Sequence, residues 1–248
     1  MASLSVIVIT KNEEDNIHEC LATVAWAEEI IVVDAGSTDG TVVEAGKFTK
    51  RIFVRPWEGY GAAKNFALNQ ATSDWILWLD ADERVSESLK EEILAVLKAK
   101  GGAFDAYTMP RKANFLGRWI LHCGWYPGRV IRLFRKVAGH FTEARVHERL
   151  EIKGTTGALR SDLLHYTDPN LHHYLEKFNK YTTLASAELV EQGQSFSLLQ
   201  ITVRPVWVFI RMYFLKLGML DGIQGFILCV LSSCYVFTKY AKLWERKL

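Results

Sequence analysis

Cysteine, proline and low-complexity sequence are scarce in this chain of 248 residues, which has four cysteines and five prolines. No two cysteines form a CxxC pair, which argues against a disulfide framework or zinc cluster and favours free thiols in a reducing compartment. No charged segment followed by an apolar one stands at the N-terminus, so no signal peptide is predicted and the cytosol is the expected compartment. Apolar residues make up 49% and charged residues 23%, which excludes a disordered or collagen-like chain.

Charge is distributed unevenly along the chain. Residues 195–248 carry seven Lys or Arg and two Asp or Glu, whereas the rest of the chain carries 23 basic and 26 acidic side chains. The last fifth is therefore a basic, aromatic segment attached to a mildly acidic body. Because its basic residues stand between long apolar runs, this segment fits an anionic membrane surface better than nucleic acid.

The first apolar run of this segment carries too much charge to cross a membrane, and the second is marginal in length. Arg211 and Lys216 interrupt the run at 205–220, and the uncharged run at 222–238 has only seventeen residues, where a spanning helix needs about 20. We therefore predict a domain over residues 1–195 and an amphipathic, interfacial helical segment over residues 196–248. A buried hairpin of a soluble domain and a spanning or re-entrant hairpin are the alternatives.

Short apolar runs rich in β-branched residues alternate with helix-like stretches in the first hundred residues. The runs cover residues 4–10, 30–33, 51–55 and 75–79. Nearly continuous apolar runs are typical of strands covered on both faces, and the alternation predicts a parallel α/β sheet. Thr41 with Glu44, and Ser88 with Glu91, have the spacing of capping boxes at two helix starts.

Polar residues gather where these strands end, which is where parallel α/β sheets bind ligands. Asp80 and Asp82 follow the fourth run, and two such carboxylates can share a divalent cation that holds a diphosphate. An acidic cluster before the next helix is the alternative. Asp34 ends the second run. Its carboxylate can accept hydrogen bonds from a base or ribose, or alternatively from the backbone of the turn that follows it. Lys64 follows a glycine-bearing loop at the start of a helix, a setting that suits phosphate.

Four segments resemble, in order and spacing over about residues 3–165, the motifs of the inverting family 2 glycosyltransferases: TKNEEDNI, VVDAGSTDGT, GYGAAKNFAL and WLDADE. The resemblance implies an α/β GT-A (Rossmann-like) fold, with a mixed, mainly parallel sheet flanked by helices, followed here by a C-terminal membrane-associated helical segment. It also implies a UDP-sugar donor and a divalent metal, either Mg²⁺ or Mn²⁺.

The resemblance also implies roles for individual residues on the nucleotide side. Lys64 is expected near the nucleotide or diphosphate, and Asp80 and Asp82 are expected to form the metal-binding DxD pair. The residues expected to contact the nucleoside are Thr10, Asn12, Glu14 and Asp34. His165 is expected as a further metal ligand, the alternative being a structural histidine beside Tyr166.

Inverting transfer needs a base that takes the proton of the acceptor hydroxyl. The stretch at 143–148 resembles the VHE segment of one branch of the family and follows an RLFR run at 132–135. Glu148 is the predicted base, and His147 is the alternative base or ligand. The alternative is that Glu148 has no catalytic role and is a surface glutamate paired with Arg145 or Arg149.

The C-terminal segment resembles that of the lipopolysaccharide inner-core β-1,4-glucosyltransferase group. This implies UDP-glucose as donor, a lipid-anchored heptose or Kdo acceptor, and a peripheral or monotopic enzyme at the cytoplasmic face of the bacterial inner membrane. The predicted partners are a UDP-sugar, a lipid-linked saccharide and an anionic membrane surface, with no nucleic acid. The alternatives are an enzyme that glycosylates a polyprenyl phosphate, and a non-catalytic module that binds nucleotide and membrane.

Overall fold

The computed structural model describes residues 2–99, 103–142 and 149–246. The chain forms two compact units. The first consists of Met1–Arg111 and Arg129–His165, and the second of Lys112–Gly128 and Tyr166–Leu248.

Twelve strands and seven α-helices lie in the described part of the chain. The strands are β1 (Leu4–Thr10), β2 (Glu29–Asp34), β3 (Ile52–Val54), β4 (Trp75–Asp80), β5 (Glu83–Val85), β6 (Ala106–Phe115), β7 (Arg118–Ile120), β8 (Gly128–Arg135), β9 (Gly139–Phe141), β10 (Leu150–Ile152), β11 (Thr156–Ala158) and β12 (Leu163–Asp168). The helices are α1 (Glu14–Ala22), α2 (Thr41–Ala45), α3 (Tyr60–Gln70), α4 (Glu87–Lys98), α5 (Leu171–Glu191), α6 (Leu198–Ile210) and α7 (Gly222–Glu245).

The main sheet has the strand order β3-β2-β1-β4-β8-β6-β12-β5. Its first four strands pair in parallel, as predicted from the alternating pattern. Strand β8 then adds antiparallel to β4, and β5 adds antiparallel to β12. The mixed sheet with helices packed against it confirms the predicted fold class.

Strand β1 is buried on both faces, as its unbroken apolar sequence predicts. Val6 and Val8 pack in a cluster with Ile17 of α1, while Ile7 packs on the other face with Ala67 of α3. Each such side chain contributes roughly 1.5–3 kcal/mol by leaving water. The carboxyl ends of β1, β2 and β4 therefore meet at one edge of a sheet held from both sides.

Both predicted capping boxes are wrong. Helix α4 is capped by Ser86, whose Oγ accepts a hydrogen bond from the N–H of Leu89 at 3.2 Å, so Ser88 already lies inside the helix. Helix α2 begins at Thr41 after Gly40, and the Thr41 hydroxyl accepts instead from the N–H of Glu13 at 2.8 Å. The predicted cap residue is the first residue of α2 in one case and the second residue of α4 in the other.

The second unit contains α5, α6 and α7. Two of its stretches, Leu198–Leu215 and Gly218–Glu245, are helical, long and apolar enough to cross a membrane by length and composition alone. Only 6% and 22% of their most apolar windows are buried. Both stretches therefore pass this test of length and composition, because the helices extend beyond the runs at 205–220 and 222–238. The charges of the first run predict that it fails the test, which is wrong by this criterion, and the second run is predicted to be marginal. All four cysteines are free, as predicted.

Candidate active site

Hydrogen bonds tie the loop after β1 to the loop after β2. The N–H of Asn12 donates to Ser37 Oγ at 2.8 Å, and its side-chain oxygen accepts from the N–H of Thr38 at 2.9 Å. Glu14 Oε2 accepts from the N–H of Gly40 at 2.7 Å. Asn12 has a positive φ of 53°, a conformation that asparagine tolerates better than most residues. Asn12 and Glu14 thus hold the two loops in a fixed arrangement.

Asp34 is fully buried at the end of β2 and shapes its own turn. Its Oδ1 accepts from the N–H groups of Gly36 at 3.0 Å and Ser37 at 2.8 Å, and its Oδ2 accepts from the Ser37 hydroxyl. Gly36 has a φ of +78°, which permits the tight reversal. The hydrogen bonds of Asp34 are thus those of a turn-forming residue, and the same residue also lines a cleft.

That cleft opens at the ends of β1 and β2 beside α3 and has only about 10 Å³ of space, room for about one water molecule. Its walls include Ile9, Asp34, Trp57 and Phe66, and the Arg55 guanidinium lies 4.0 Å from the centre of the Phe66 ring. Because ligand pockets measure roughly 300–1,000 Å³, these walls would have to move apart to hold a nucleotide base. Thr10 is buried on the opposite face from Ile9 by strand alternation, and its hydroxyl has no hydrogen-bond partner among the described residues.

A buried arginine organises the acidic residues at the end of β4. Arg132 of β8 donates through Nη2 to Asp80 Oδ2 and to Glu83 Oε1, both at 2.7 Å. Glu83 is fully buried, and Arg111 approaches the same Oε1 at 3.5 Å. Burial alone would lower the pKa of Arg132, but the Glu83 and Asp80 carboxylates together raise it above the ordinary value. Asp80 and Glu83 are thus fixed around one permanent positive charge.

An aromatic ring of β4 joins Lys64 to this cluster. The Arg132 guanidinium lies 3.4 Å from the centre of the Trp78 ring, and Lys64 Nζ lies 4.0 Å from the same centre. Trp78 and Asp80 are two residues apart on one strand and therefore share a face of the sheet. Lys64 comes from α3, which packs on that face, and is 4% exposed. Two cations and Asp80 therefore converge at one end of the sheet.

Strand register brings the two remaining predicted metal ligands together. His165 of β12 is paired with Glu83 of β5 in the antiparallel ladder. Its Nε2 lies 3.2 Å from Asp82 Oδ2, with 14% and 16% of the two side chains exposed. His165 and Asp82, each predicted as a metal ligand, are therefore in direct contact.

The comparisons with known proteins identify the family. The family described as Glycosyl transferase family 2 matches residues 5–150. The chain belongs to this family. Its similarity to the lipopolysaccharide core biosynthesis glycosyltransferase LpsC of Rhizobium meliloti (strain 1021) is 32% identity over 98% of this chain and 92% of LpsC. An uncharacterized glycosyltransferase of Rickettsia typhi is 29% identical over the whole chain and 89% of its own length.

Solved structures of related fold are more distant. Residues 1–349 of S. aureus TarS, in complex with UDP-GlcNAc, align over 99% of this chain and 92% of that chain at 16% identity and a TM-score of 0.49. Glucosyl-3-phosphoglycerate synthase from Mycobacterium tuberculosis, with Mg²⁺ and UDP, aligns over 46% of this chain and 44% of that chain at 23% identity and a TM-score of 0.37. These alignments are too distant to carry ligands over to this chain.

The donor set of this family 2 chain fits a divalent metal. A carboxylate and an imidazole in contact, Asp82 and His165, suit Mn²⁺, and carboxylate oxygens also suit Mg²⁺. Across residues 2–99, 103–142 and 149–246, no group of three or more His, Cys, Asp or Glu side chains is arranged to hold a metal ion. Two such side chains would leave coordination positions for the phosphate oxygens of a nucleotide, which is how Mg²⁺ is commonly bound.

The predicted base, Glu148, and its alternative, His147, lie outside the described residues. The strands on either side of that stretch are described, and Phe141 of β9 pairs with Leu150 of β10. The Phe141 ring lies 5.5 Å from the Trp78 ring, and Lys64 Nζ is 5.7 Å from the Phe141 centre. The chain segments that lead into and out of residues 143–148 are thus held beside the cluster.

Sequence reasoning missed Glu83 and Arg132 as members of the site. Both belong to segments that carry the family resemblance: Glu83 is the last acid of WLDADE, and Arg132 is the first residue of RLFR. The alternation in β8 gave a signal, because Arg132 and Phe134 share a face and Phe134 pairs with Ile76 of β4. Without the β4–β8 pairing, nothing in the sequence directs Arg132 to Asp80.

Proposed function

We propose that this family 2 glycosyltransferase is a metal-dependent, inverting enzyme that transfers a hexose, with glucose the first choice, from a UDP-sugar to a lipid-anchored saccharide of the lipopolysaccharide-core type. The observation that carries the proposal is the convergence of Asp80, Asp82, His165 and Arg132 beside an apolar cleft at the strand ends. The near full-length similarity to LpsC supports the acceptor class.

In the proposed reaction, an acceptor hydroxyl oxygen attacks the anomeric carbon of the donor sugar. A new glycosidic bond forms as the bond between that carbon and the diphosphate oxygen breaks, and UDP leaves with the electron pair. The cleft lined by Ile9, Asp34 and Phe66 would widen to receive the base and ribose. The hydroxyl proton passes to a carboxylate, for which we propose Glu148.

Charge is the second requirement, because the leaving diphosphate gains negative charge as the bond breaks. Lys64 and Arg132 bring two positive charges to this end of the sheet, and both are held by the Trp78 ring. Asp82 and His165 would hold the divalent metal, which when bound supplies further positive charge to the diphosphate. Asp80, fixed by Arg132, would complete the acidic side of the site.

The test is UDP release by the purified full chain from a panel of nucleotide sugars. Reactions contain Mn²⁺ or EDTA, with and without deep-rough lipopolysaccharide in detergent. We expect release from one UDP-sugar that requires the metal and rises with the lipopolysaccharide. Asp82→Asn should abolish most of it, whereas Glu91→Gln, an exposed acid on α4, should leave it unchanged.

Two outcomes would contradict the proposal. If polyprenyl phosphate and not lipopolysaccharide stimulates UDP release, the acceptor is a polyprenyl phosphate. Glu148→Gln should then have little effect, because a phosphate acceptor is already ionised and needs no base. UDP binding without release from any donor would favour a non-catalytic nucleotide-binding module.

A further inference from the structure

Helix α6 leaves one side apolar and exposed. Leu199, Val203 and Trp207 recur at the spacing of one helix face and are 65%, 55% and 54% exposed. Phe214, in the π-helical turn Arg211–Leu215 that follows α6, is 51% exposed. Pro205, on the opposite side, is buried. An exposed apolar surface of this size marks a site where a membrane or another protein binds.

Helix α7 has a matching exposed stripe. Ile223, Phe226, Phe237 and Trp244 are 65%, 42%, 48% and 48% exposed, and the exposed Cys234 lies on the same stripe. Its opposite side is buried through Gly225, Leu228, Cys229 and Leu243. We call the two exposed stripes of α6 and α7 together the apolar face.

The two helices form an antiparallel hairpin. Ser233 Oγ donates to the Pro205 carbonyl at 2.8 Å, and the Phe209 and Phe226 rings lie 6.1 Å apart nearer the turn. The Arg204 guanidinium contacts the Tyr240 hydroxyl at the open end. The hairpin is therefore a packed unit, and the apolar face is what this packing leaves uncovered.

A charged helix covers the other side of α7. Along α5, the Phe178 ring lies 5.7 Å from the Tyr235 ring, Lys242 Nζ donates to Asn179 Oδ1 at 2.7 Å, and Arg246 Nε donates to Ser186 Oγ at 3.1 Å. Glu176 and Lys180 of α5 remain exposed. Half of α7 therefore runs beside a helix that hydrocarbon would not accept.

Polar contacts also hold the turn of the hairpin. Asp221, which is 2% exposed, accepts from the N–H groups of Leu121 at 3.2 Å and His122 at 2.8 Å. The N–H of Cys123 donates to the Lys216 carbonyl at 3.0 Å, and Arg118 donates to the Leu220 carbonyl at 3.3 Å. Segment 118–123, with its arginine and histidine, therefore stays with the turn.

These contacts decide how the hairpin can meet a membrane. If α6 and α7 crossed the bilayer, the turn would carry Asp221, His122 and Arg118 to the far side, and Glu176 and Lys180 of α5 would lie at membrane depth. We propose that the hairpin lies flat in a single leaflet, with the apolar face toward the lipid tails and α5 and segment 118–123 on the water side. This rests on the proposed function for its lipid-anchored acceptor.

The charges around the apolar face fit an anionic leaflet. Arg204 lies on α6, Arg211 opens the π-helical turn that follows it, Lys216 lies at the turn of the hairpin, and all three are exposed. Over residues 195–246 the exposed acid is Glu245, because Asp221 is buried. Basic residues beside a wide apolar face bind the anionic headgroups of lipids, whereas a second copy of this chain would bring the same positive charges to the contact. The charges therefore favour a lipid surface over a second copy at the apolar face.

The experiment measures depth along the helix. Cys234 is the one exposed native thiol, so a fluorophore attaches to it without mutation. The same label is placed at Leu199→Cys, Ile223→Cys and Trp244→Cys in a Cys234→Ser background, with Lys180→Cys on α5 as the control. Each full-length protein is bound to phosphatidylglycerol–phosphatidylethanolamine vesicles and quenched by lipids with a nitroxide near the headgroup or at the bilayer centre.

A flat hairpin predicts one shallow depth for all four labels on the apolar face, with the Lys180→Cys label quenched by aqueous iodide. A spanning hairpin predicts that Cys234, near the middle of α7, is deepest and that Ile223→Cys and Trp244→Cys lie near opposite headgroups. That second pattern would overturn the proposal. If the labels on the apolar face are protected from aqueous iodide without lipid, and the protein has twice its monomer mass in solution, a second copy covers the face and the proposal is overturned.

Binding strength gives a second readout. Arg211→Gln with Lys216→Gln should weaken binding to anionic vesicles by roughly tenfold and leave binding to neutral vesicles unchanged. Lys180→Gln on α5 should change neither. None of these measurements uses the transfer reaction, so a flat depth profile without UDP release would retain this inference and reject the proposed function. Equal binding to anionic and neutral vesicles would contradict the lipid charge preference.

Discussion

At the scale of single residues, the feature that matters most is the arginine shared by two acids. Arg132 is 3% exposed and satisfies both Asp80 and the fully buried Glu83. Removing one partner of a buried pair leaves an uncompensated charge, which costs far more than the intact pair contributes. The cluster is thus a structural requirement for the proposed site as well as part of it.

We expect Glu83→Gln to destabilise the first unit by about 3–5 kcal/mol, because Arg132 would lose its buried carboxylate. Urea unfolding measures this change. Glu87→Gln, an exposed acid on α4, is the matched control and should stay within about 0.5 kcal/mol of the parent. Equal stability of the two variants would show that Arg132 does not depend on Glu83.

The contact between Asp82 and His165 predicts a shared role in metal binding. We expect Asp82→Asn and His165→Gln each to weaken Mn²⁺ binding in the presence of UDP by about 10–100-fold, the range seen when groups at metal sites are removed. Isothermal titration calorimetry measures this without any turnover. His172→Gln, an exposed histidine on α5, serves as the control. Unchanged affinity in His165→Gln would exclude that residue as a ligand.

Cys20 predicts a dependence of stability on pH. Burial first, and the nearby Glu83 carboxylate second, raise the pKa of the Cys20 thiol well above its ordinary value. The unfolded chain loses this proton near pH 8.5, before the folded protein does, so stability falls as pH rises above that value, by at most about 1.4 kcal/mol per pH unit. Urea unfolding between pH 7 and 10 should show a smaller fall in Cys20→Ala. Identical pH profiles would contradict this origin.

At the scale of elements, capping decides where α4 begins. Ser86 Oγ accepts from the N–H of Leu89 and donates to the Asp162 carbonyl at 2.7 Å. We expect Ser86→Ala to lower the free energy of unfolding by about 1 kcal/mol, and Ser88→Ala, two residues along, to change it by less than about 0.5 kcal/mol. Thermal unfolding of the two variants compares them directly. The reverse order would restore the capping box predicted from the sequence.

The elements themselves were largely predictable, and their partners were not. The four apolar runs became β1 to β4 within one or two residues because continuous apolar sequence leaves few alternatives to a buried strand. The long β6 and β8 have a weaker signal in the sequence, since Arg111, Lys112 and Arg129 break their apolar pattern. Arg111 approaches Glu83 of β5 at 3.5 Å, and Arg129 donates to the Leu159 carbonyl just after β11 at 2.6 Å.

At the scale of the whole molecule, the exposed apolar face of the second unit predicts how the protein behaves without lipid. We expect the purified chain to need detergent, because exposed apolar surface of this extent associates in water. The combined variant Leu199→Gln, Trp207→Gln and Phe214→Gln should stay monomeric in buffer by light scattering and leave the membrane fraction. A monodisperse parent chain in buffer would contradict this expectation.

By itself, the sequence determined the alternation of strands and helices in the first hundred residues, the acidic residues at the strand ends, and a basic aromatic C-terminal segment, because these depend on local periodicity and composition. The tertiary structure alone decided that Arg132 bridges Asp80 and Glu83, that His165 meets Asp82, and that α5 and segment 118–123 cover one side of the hairpin. Those contacts join residues far apart in the chain. Strand register and helix packing determine them, and local sequence encodes neither.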